Sequence, residues 1–281
     1  MTATAPAPTD VRTHPIGLVP AFLVCVAAVS LFGFQEKLPG YALLAAGLVI
    51  AWFVDRSGRT ERLAPDLLLI AIGQVIISTM SLKAELTDAA MVRFAVVLGL
   101  AVIVPYVISR FVYRERVIRF PWRTGRRWTR TQWLYLIFVT FAGWLILPFY
   151  FITSGVYTNW PVVETPNEIA RLFVGVNAVG TWDELFFICT VFTLLKRHFP
   201  AWQANLLQSL VFVSFLWELG YQAWGPLLTI PFALIQGYTF KLTKSLTYVL
   251  IVHLIFDAVV FAVIVYAHNG WPAIFPFVPG G

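Results

Sequence analysis

Long apolar stretches, separated by short polar or basic connections, repeat along the whole chain. A membrane-spanning helix needs about 20 mostly apolar residues, and nine stretches approach this length. They are residues 16–34, 39–54, 67–80, 94–112, 133–152, 172–195, 204–219, 226–240 and 245–267, numbered below as segments 1 to 9. Segments 2, 3 and 8 are short, and segment 7 contains polar residues. The pattern therefore predicts an all-α fold, a polytopic membrane helix bundle of eight or nine transmembrane helices.

The composition supports a membrane protein and excludes several other classes. Hydrophobic residues make up 59% of the 281 residues and charged residues only 12%, with a mean hydropathy of +0.78. A soluble protein has roughly 25% charged residues, so the excess apolar side chains are expected to face lipid. This composition argues against a cytosolic enzyme, a disordered chain and a nucleic-acid-binding domain. Cys25 and Cys189 both lie in apolar stretches, which predicts buried thiols rather than a disulfide framework.

Lysine and arginine are distributed unevenly between alternate connections. The N-terminus and the connections after segments 2, 4, 6 and 8 hold 16 of the 20 residues of these types. The other four are Lys37, Lys83, Arg93 and Arg171. Because connections rich in Lys and Arg stay in the cytoplasm, nine alternating spans place the N-terminus in the cytoplasm and the C-terminus outside. Residues 1–15, rich in Pro, Ala and Thr, predict a disordered cytoplasmic tail.

Ionisable residues inside the spans concentrate in the last third of the chain. Segments 1 to 5 have essentially none in their interiors, so residues 16–152 are predicted to be an N-terminal helical scaffold. Charged groups inside a membrane are costly and mark functional sites by default, so the last third of the chain is predicted to hold a functional site. The candidate site residues there are Asp183, Glu184, Glu218, His253 and Asp257.

The spacing of these residues predicts one shared site. His253 and Asp257 are four residues apart and therefore point to the same side of a helix. Glu184 and Glu218 are 34 residues apart, and Glu218 and His253 are 35 apart, so each step equals one helix, a turn and the return. Asp183 is turned about 100° from Glu184 and is expected to cap a neighbour or to face a second helix. Four carboxyl groups cannot all stay ionised in low dielectric without compensation, which predicts shared protons or a bound cation.

Two short motifs in this region resemble those of a known family. Asp183-Glu184-Leu-Phe-Phe-Ile188 resembles the EExxxR motif of the CPBP intramembrane proteases, a group that includes type II CAAX prenyl endopeptidases and bacterial Abi proteins. His253-Leu-Ile-Phe-Asp257 is similar to the third motif of that family, HxxxN or HxxxD. The resemblance covers residues 170–267 and implies that they form the catalytic helical core. It implies that Glu184 is the base that activates water. It also implies that His253 positions this water, binds metal or stabilises the oxyanion, and that Asp257 is its partner.

The chain departs from the family pattern at motifs 1 and 2. Ile188 stands where the family has an arginine, and Glu218 stands where the histidine of the FxxxH motif is expected, with Trp217 as the other candidate position. A glutamate can bind metal as a histidine does. Glu184, Glu218 and His253 are therefore the candidate metal ligands, in an oxygen-rich site that tolerates zinc or manganese.

The resemblance implies an intramembrane endopeptidase or metalloendopeptidase that hydrolyses a peptide bond in or near the membrane. Its expected partners are membrane lipid and a peptide or membrane-protein substrate, without nucleic acid, and its expected location is a bacterial cell membrane. Two alternatives stay open: a catalytically degenerate scaffold of the same family, and a proton-coupled transporter that uses the carboxylates as a relay. The clustering of these carboxylates in one third of the chain disfavours the transporter.

Overall fold

The computed structural model describes residues 15–122, 125, 127–271 and 273–278. Within these ranges the chain forms nine long helices and no strand. They are α1 (Pro15–Gly33), α2 (Lys37–Arg56), α3 (Leu63–Ile77), α4 (Asp88–Val112), α5 (Arg130–Thr153), α6 (Pro166–His198), α7 (Ala201–Leu219), α8 (Pro226–Thr243) and α9 (Leu246–Asn269). Each helix coincides with one predicted segment, which confirms the all-α bundle. The predicted disorder of the tail concerns residues that, apart from Pro15, lie outside the described ones.

Six of the described helices, α1, α2, α4, α5, α6 and α9, are long and apolar enough to cross a membrane. These six helices identify an integral membrane protein. α6 is the most buried of them: 72% of its most apolar stretch is buried, against 22–50% in the other five. The helix that carries Asp183 and Glu184 therefore lies inside the bundle, and helices such as α2 and α4 present more of their surface to lipid.

Local sequence signals set the start of α6. The Thr165 side chain accepts a hydrogen bond from the Glu168 backbone N–H, and the Glu168 carboxylate accepts one from the Thr165 backbone N–H. This reciprocal pair satisfies amide groups that have no partner within the helix. Pro166 occupies the first helical position, where its missing N–H costs nothing.

α6 changes its hydrogen-bond pattern at the point where the site begins. It is α-helical up to Asp183 and is a π-helix over Glu184–Phe192. Hydroxyl groups within and just after this stretch donate to carbonyls five residues earlier, Thr190 to Leu185 (2.9 Å) and Thr193 to Ile188 (3.1 Å). π-Helical stretches occur mostly at functional sites, and here the stretch starts at a candidate catalytic residue.

Helices α7 and α8 pair through buried amide side chains. Asn205 donates to the carbonyl of Leu234 (2.7 Å), and Gln208 donates to the carbonyl of Ala233 (3.0 Å). These bonds explain the polar residues that interrupt segment 7, because a polar group inside a membrane protein bonds across a helix interface. The pair packs against α1 and α6 on the α7 side, and α9 packs against α5 and α6.

The connections group at two ends of the bundle as the alternation predicts. Arg62 and Glu115 follow α2 and α4, Arg197 lies in the last turn of α6, and their side chains meet in ion pairs of 2.6–2.7 Å. At the opposite end, Arg171 donates to the carbonyl of Leu86 (3.0 Å). The first group lies in the basic connections, so these connections share one end of the bundle. Its cytoplasmic orientation stays a prediction.

Candidate active site

The imidazole of His253 lies in the first half of α9 and is buried beside aromatic rings. Its ring centroid is 4.9 Å from that of Phe232 on α8, in an edge-to-face arrangement, and 6.1 Å from that of Phe212 on α7. Only 4% of the residue is exposed. The side chains that α7 and α8 place beside the ring are thus apolar. A positive charge on the ring must therefore be compensated by nearby acidic groups.

Asp183 and Glu184 lie on opposite edges of this ring. His253 Nδ1 is 2.8 Å from Oε1 of Glu184, and His253 Nε2 is 3.6 Å from Oδ2 of Asp183. The expected angle of about 100° between neighbouring helical side chains explains the arrangement, because the two carboxyl groups diverge and the ring inserts between them. Asp183 thus faces the helix that carries His253, one of the two positions expected for it.

Asp257 completes the group from one turn further along α9. Its Oδ1 is 3.8 Å from His253 Nε2, as the four-residue spacing predicts. α6 can lie this close to α9 because residue 180 is a glycine: a Cβ at Gly180 would overlap the Asp257 carboxylate and would lie 3.1 Å from Cδ2 of His253. The cluster of Asp183, Glu184, His253 and Asp257 is called the acid–histidine cluster below.

Gln236 on α8 is a further member of the site that the sequence analysis did not single out. It is fully buried, and its side-chain amide donates to Oε1 of Glu184 (2.6 Å) and to the carbonyl of Val249 (3.1 Å). The available signal was an amide side chain inside an apolar span, which is a candidate functional residue. No spacing rule linked it to the other candidates.

Several buried oxygens of the site have no hydrogen-bond partner among the described residues. They are Oδ1 of Asp183, Oε2 of Glu184, Oε1 of Gln236 and Oδ2 of Asp257. Three carboxyl groups around one imidazole carry more negative charge than one imidazolium can balance, and buried charges need compensation. The geometry is therefore suited to groups that share protons and that bind a water molecule through their free oxygens.

Glu218 does not join this cluster, so its predicted position is wrong. Its Oε1 accepts a hydrogen bond from the backbone N–H of Leu82 (3.0 Å), in the connection between α3 and α4. Equal spacing along the chain predicts equal depth but not which side of α7 faces the site. The residues of α7 that do face it are apolar, namely Phe212 and Leu216. Trp217, the other candidate position, lines an apolar groove between α1 and α7.

The candidate metal ligands Glu184, Glu218 and His253 are consequently not brought together. Among the described residues, no group of three or more His, Cys, Asp or Glu side chains is arranged to hold a metal ion. Nδ1 of His253 is engaged with Glu184 at hydrogen-bond distance. Ile188, at the place of the motif 1 arginine, is fully buried and adds no positive charge. Glu184, Glu218 and His253 therefore do not fit the metal centre that the sequence predicted.

Two cavities meet at the acid–histidine cluster. The α4–α6 cavity, about 340 Å³, reaches from Asp183 and His253 to Glu85 and Arg171 at the end opposite the basic connections. The α5–α8 cavity, about 320 Å³, lies between α5, α8 and α9 and is lined mainly by apolar side chains. His253 and Asp257 line both cavities, as do Leu216 and Tyr221. The site is therefore reached from a side with charged residues and from an apolar side.

Fold and site together define a polytopic helical membrane protein with a buried carboxylate–imidazole cluster. Residues 165–259, from the start of α6 into α9, match the model of the family described as Rce1-like, "Type II CAAX prenyl endopeptidase Rce1-like". This match confirms the family resemblance drawn from the two motifs and supports a CAAX-type intramembrane protease at the level of the family. No curated protein and no solved structure matches the chain.

Proposed function

We propose that the protein is an intramembrane endopeptidase of the CPBP/CAAX prenyl protease type, and that Glu184 activates the attacking water. One observation carries the proposal: Oε1 of Glu184 is held by His253 and Gln236, whereas Oε2 has no partner among the described residues. A general base must be fixed in place and must keep one oxygen available for the proton that it accepts. Glu184 meets both requirements.

The proposed reaction is a hydrolysis of the peptide bond through a tetrahedral intermediate. Oε2 of Glu184 removes a proton from water, and the water oxygen forms a bond to the carbonyl carbon of the scissile peptide. As this bond forms, the π electrons of the C=O bond move to the carbonyl oxygen, and the Nε2–H of His253 donates a hydrogen bond to the resulting oxyanion. The C–N bond breaks, and the proton on Glu184 passes to the leaving nitrogen. Asp183 and Asp257, 3.6 and 3.8 Å from Nε2, stabilise positive charge on the ring during these steps.

The two cavities support separate routes for water and substrate. The α4–α6 cavity has Glu85 and Arg171 near its end and suits water. The α5–α8 cavity has apolar walls and exposed residues such as Phe138 and Leu227 at the lipid-facing surface. A peptide or membrane-protein substrate would approach through it from the lipid. A bacterial cell membrane and a cytoplasmic N-terminus complete the proposal.

A non-catalytic scaffold of the same family is the second candidate. The observation that favours it is the apolar surface that α7 presents to the site through Phe212 and Leu216, where the family resemblance predicts a polar residue. A site without that group has fewer donors for an oxyanion, which would weaken catalysis. The scaffold therefore predicts a folded cluster without turnover.

The experiment uses purified protein in liposomes and a quenched fluorescent peptide that ends in a CAAX sequence, with and without a prenyl group on its cysteine. We expect time-dependent cleavage with a product mass that corresponds to addition of one water. Cleavage of the prenylated peptide alone would indicate that the lipid group is recognised, and cleavage of both would indicate recognition of the peptide. If neither peptide is cleaved, the endopeptidase proposal is contradicted and the scaffold is favoured.

A further inference from the structure

Gln236 links three helices at the site. It belongs to α8, and its amide donates one hydrogen bond to Glu184 on α6 and one to the carbonyl of Val249 on α9. Val249 precedes His253 by one helical turn, and its carbonyl is the one that the backbone N–H of His253 reaches in an α-helix. The same amide therefore fixes the carboxylate and the turn of α9 that carries the imidazole.

Two other fully buried glutamines, which do not bond an acidic side chain, serve as a comparison for Gln236. Gln74 on α3 donates to the carbonyl of Val24 (2.9 Å), and Gln208 on α7 donates to the carbonyl of Ala233 (3.0 Å). Like Gln236, each has an Oε1 atom without a partner among the described residues. All three thus join helices through a side-chain amide and a backbone carbonyl. Of the three, Gln236 is the one that also holds an acidic side chain.

The two contacts at Oε1 of Glu184 restrict the orientation of its carboxylate. Oε1 is bonded by Gln236 (2.6 Å) and lies 2.8 Å from Nδ1 of His253, and both partners are buried. The carboxylate has two lone-pair directions at each oxygen, so two donors at Oε1 restrict rotation about its last bond. Loss of the Gln236 amide leaves His253 as the remaining partner at Oε1, so the carboxylate is held less firmly and its two oxygens can exchange more easily.

On the basis of the proposed hydrolysis, we propose that Gln236 is a positioning residue that holds Glu184 with Oε2 directed at the reacting water. Gln236 itself does not touch the reacting atoms. Its amide acts through Glu184, in the way that outer partners orient the groups that perform the chemistry. Its removal is expected to slow the chemical step and to leave substrate binding unchanged, because no substrate contact is lost.

The test compares Gln236→Met with Gln208→Met in liposomes on the CAAX peptide that the wild type cleaves. Each change removes a buried amide that bonds a neighbouring helix, so both variants are expected to lower the melting temperature to a similar extent. Gln236→Met should lower kcat by about 10- to 100-fold with an unchanged KM, whereas Gln208→Met should keep the wild-type kcat. Gln236→Asn, which keeps an amide in the interface but is one carbon shorter, replaces Gln236→Met if that variant does not fold.

A double variant separates positioning from general damage. In a Glu184→Gln background, Gln236→Met should cause no further loss of residual cleavage, because the group that it positions is already absent. Equal kcat values for Gln236→Met and Gln208→Met, beside an active wild type and a strongly impaired Glu184→Gln, would overturn the positioning role and leave the proposed function intact. An inactive wild type would overturn the proposed function and this inference with it.

Discussion

Gly180 allows α6 and α9 to meet at the acid–histidine cluster. A Cβ at this position would overlap the carboxylate of Asp257 and press on the ring of His253. A carboxylate that moved aside would leave the imidazole, whose other neighbours include the rings of Phe212 and Phe232. At the scale of single residues, the absence of one side chain is thus as important to the site as the four that form it.

We expect Gly180→Ala to abolish cleavage and to destabilise the protein by about 1–3 kcal/mol, the usual cost of overpacking. Gly175→Ala is the matched control on the same helix, because a Cβ there meets no atom within 4 Å. Peptide cleavage and thermal unfolding of both variants provide the measurement. Wild-type activity in Gly180→Ala would show that the close contact between the two helices is not required.

The positions of the three candidate metal ligands lead to a prediction about divalent ions. Glu218 bonds Leu82 and is not beside Glu184 and His253, so we expect neither zinc nor manganese to raise the melting temperature of the purified protein. Ligands that bind the native state raise this temperature in a concentration-dependent way. We expect cleavage to persist in a chelator. A metal-dependent rise that Glu184→Gln reduces would restore the metal site that the sequence motifs suggested.

The sequence predicted the cluster where spacing and helical periodicity coincide. His253 and Asp257 lie one turn apart, and Asp183 and Glu184 diverge enough to hold one ring between them. Glu218 could not be placed, because residue spacing across a turn does not define the rotation of the next helix. Gln236 could not be found for a related reason: its contact with Glu184 depends on how α8 packs on α6.

At the scale of elements, α6 is held at its end as well as at the site. His198 Nε2 lies 2.6 Å from Oδ2 of the buried Asp66 on α3, and Arg197 donates two hydrogen bonds to Glu115 (2.6 and 3.0 Å). The position of this end relative to α3 and α4 is therefore fixed by charged groups. The sequence predicted that α6 exists but not its π-helical stretch, because the altered hydrogen bonding depends on packing inside the bundle.

The ion pair at this end predicts a pH-dependent contribution to stability. The hydrogen bonds from Arg197, together with the charges of Arg197, Arg62 and His198, hold the pKa of Glu115 below its ordinary value of 4.5. A carboxylate with a lowered pKa stabilises the folded state above about pH 4.5, and this contribution is lost as the pH falls through the folded pKa. We expect Glu115→Gln to cost about 1–3 kcal/mol at pH 7 and progressively less below pH 4.5.

Thermal unfolding of Glu115→Gln across this pH range is the measurement. Its control is Glu85→Gln, which removes an exposed pair with Arg93 (3.3 Å) and should change stability little at any pH. An equal effect of Glu115→Gln at pH 7 and pH 4 would contradict the assigned cause.

At the scale of the whole molecule, the bundle has one end with the basic connections and one end toward which the α4–α6 cavity runs. The charge bias predicted the grouping of connections because each passage through the membrane reverses the chain. The ion pair of Arg62 with Glu115 joins the connection after α2 to the connection after α4, which agrees with this grouping. The sequence could not predict the cavities, since they depend on the packing of side chains from several helices.

The orientation leads to a prediction about topology. A reporter inserted after Gly125, in the basic connection between α4 and α5, should read as cytoplasmic, and one inserted at residues 153–165 should read as external. Fusions to a pair of reporters that are active on opposite sides of the membrane provide the measurement. An external reading after Gly125 would reverse the orientation and place the end of the α4–α6 cavity in the cytoplasm.

The most direct test of Glu184 as the general base compares two carboxylate-to-amide changes, Glu184→Gln and Glu218→Gln, in the cleavage of the CAAX peptide. Glu184 is held by His253 and Gln236 with one oxygen free, whereas Glu218 bonds the backbone of Leu82 outside the cluster. We predict that Glu184→Gln lowers kcat/KM by at least about 10³-fold with a nearly unchanged melting temperature. Glu218→Gln should stay within about threefold of the wild type. Full activity of Glu184→Gln, or an equal loss in Glu218→Gln, would contradict the assignment of Glu184 as the base.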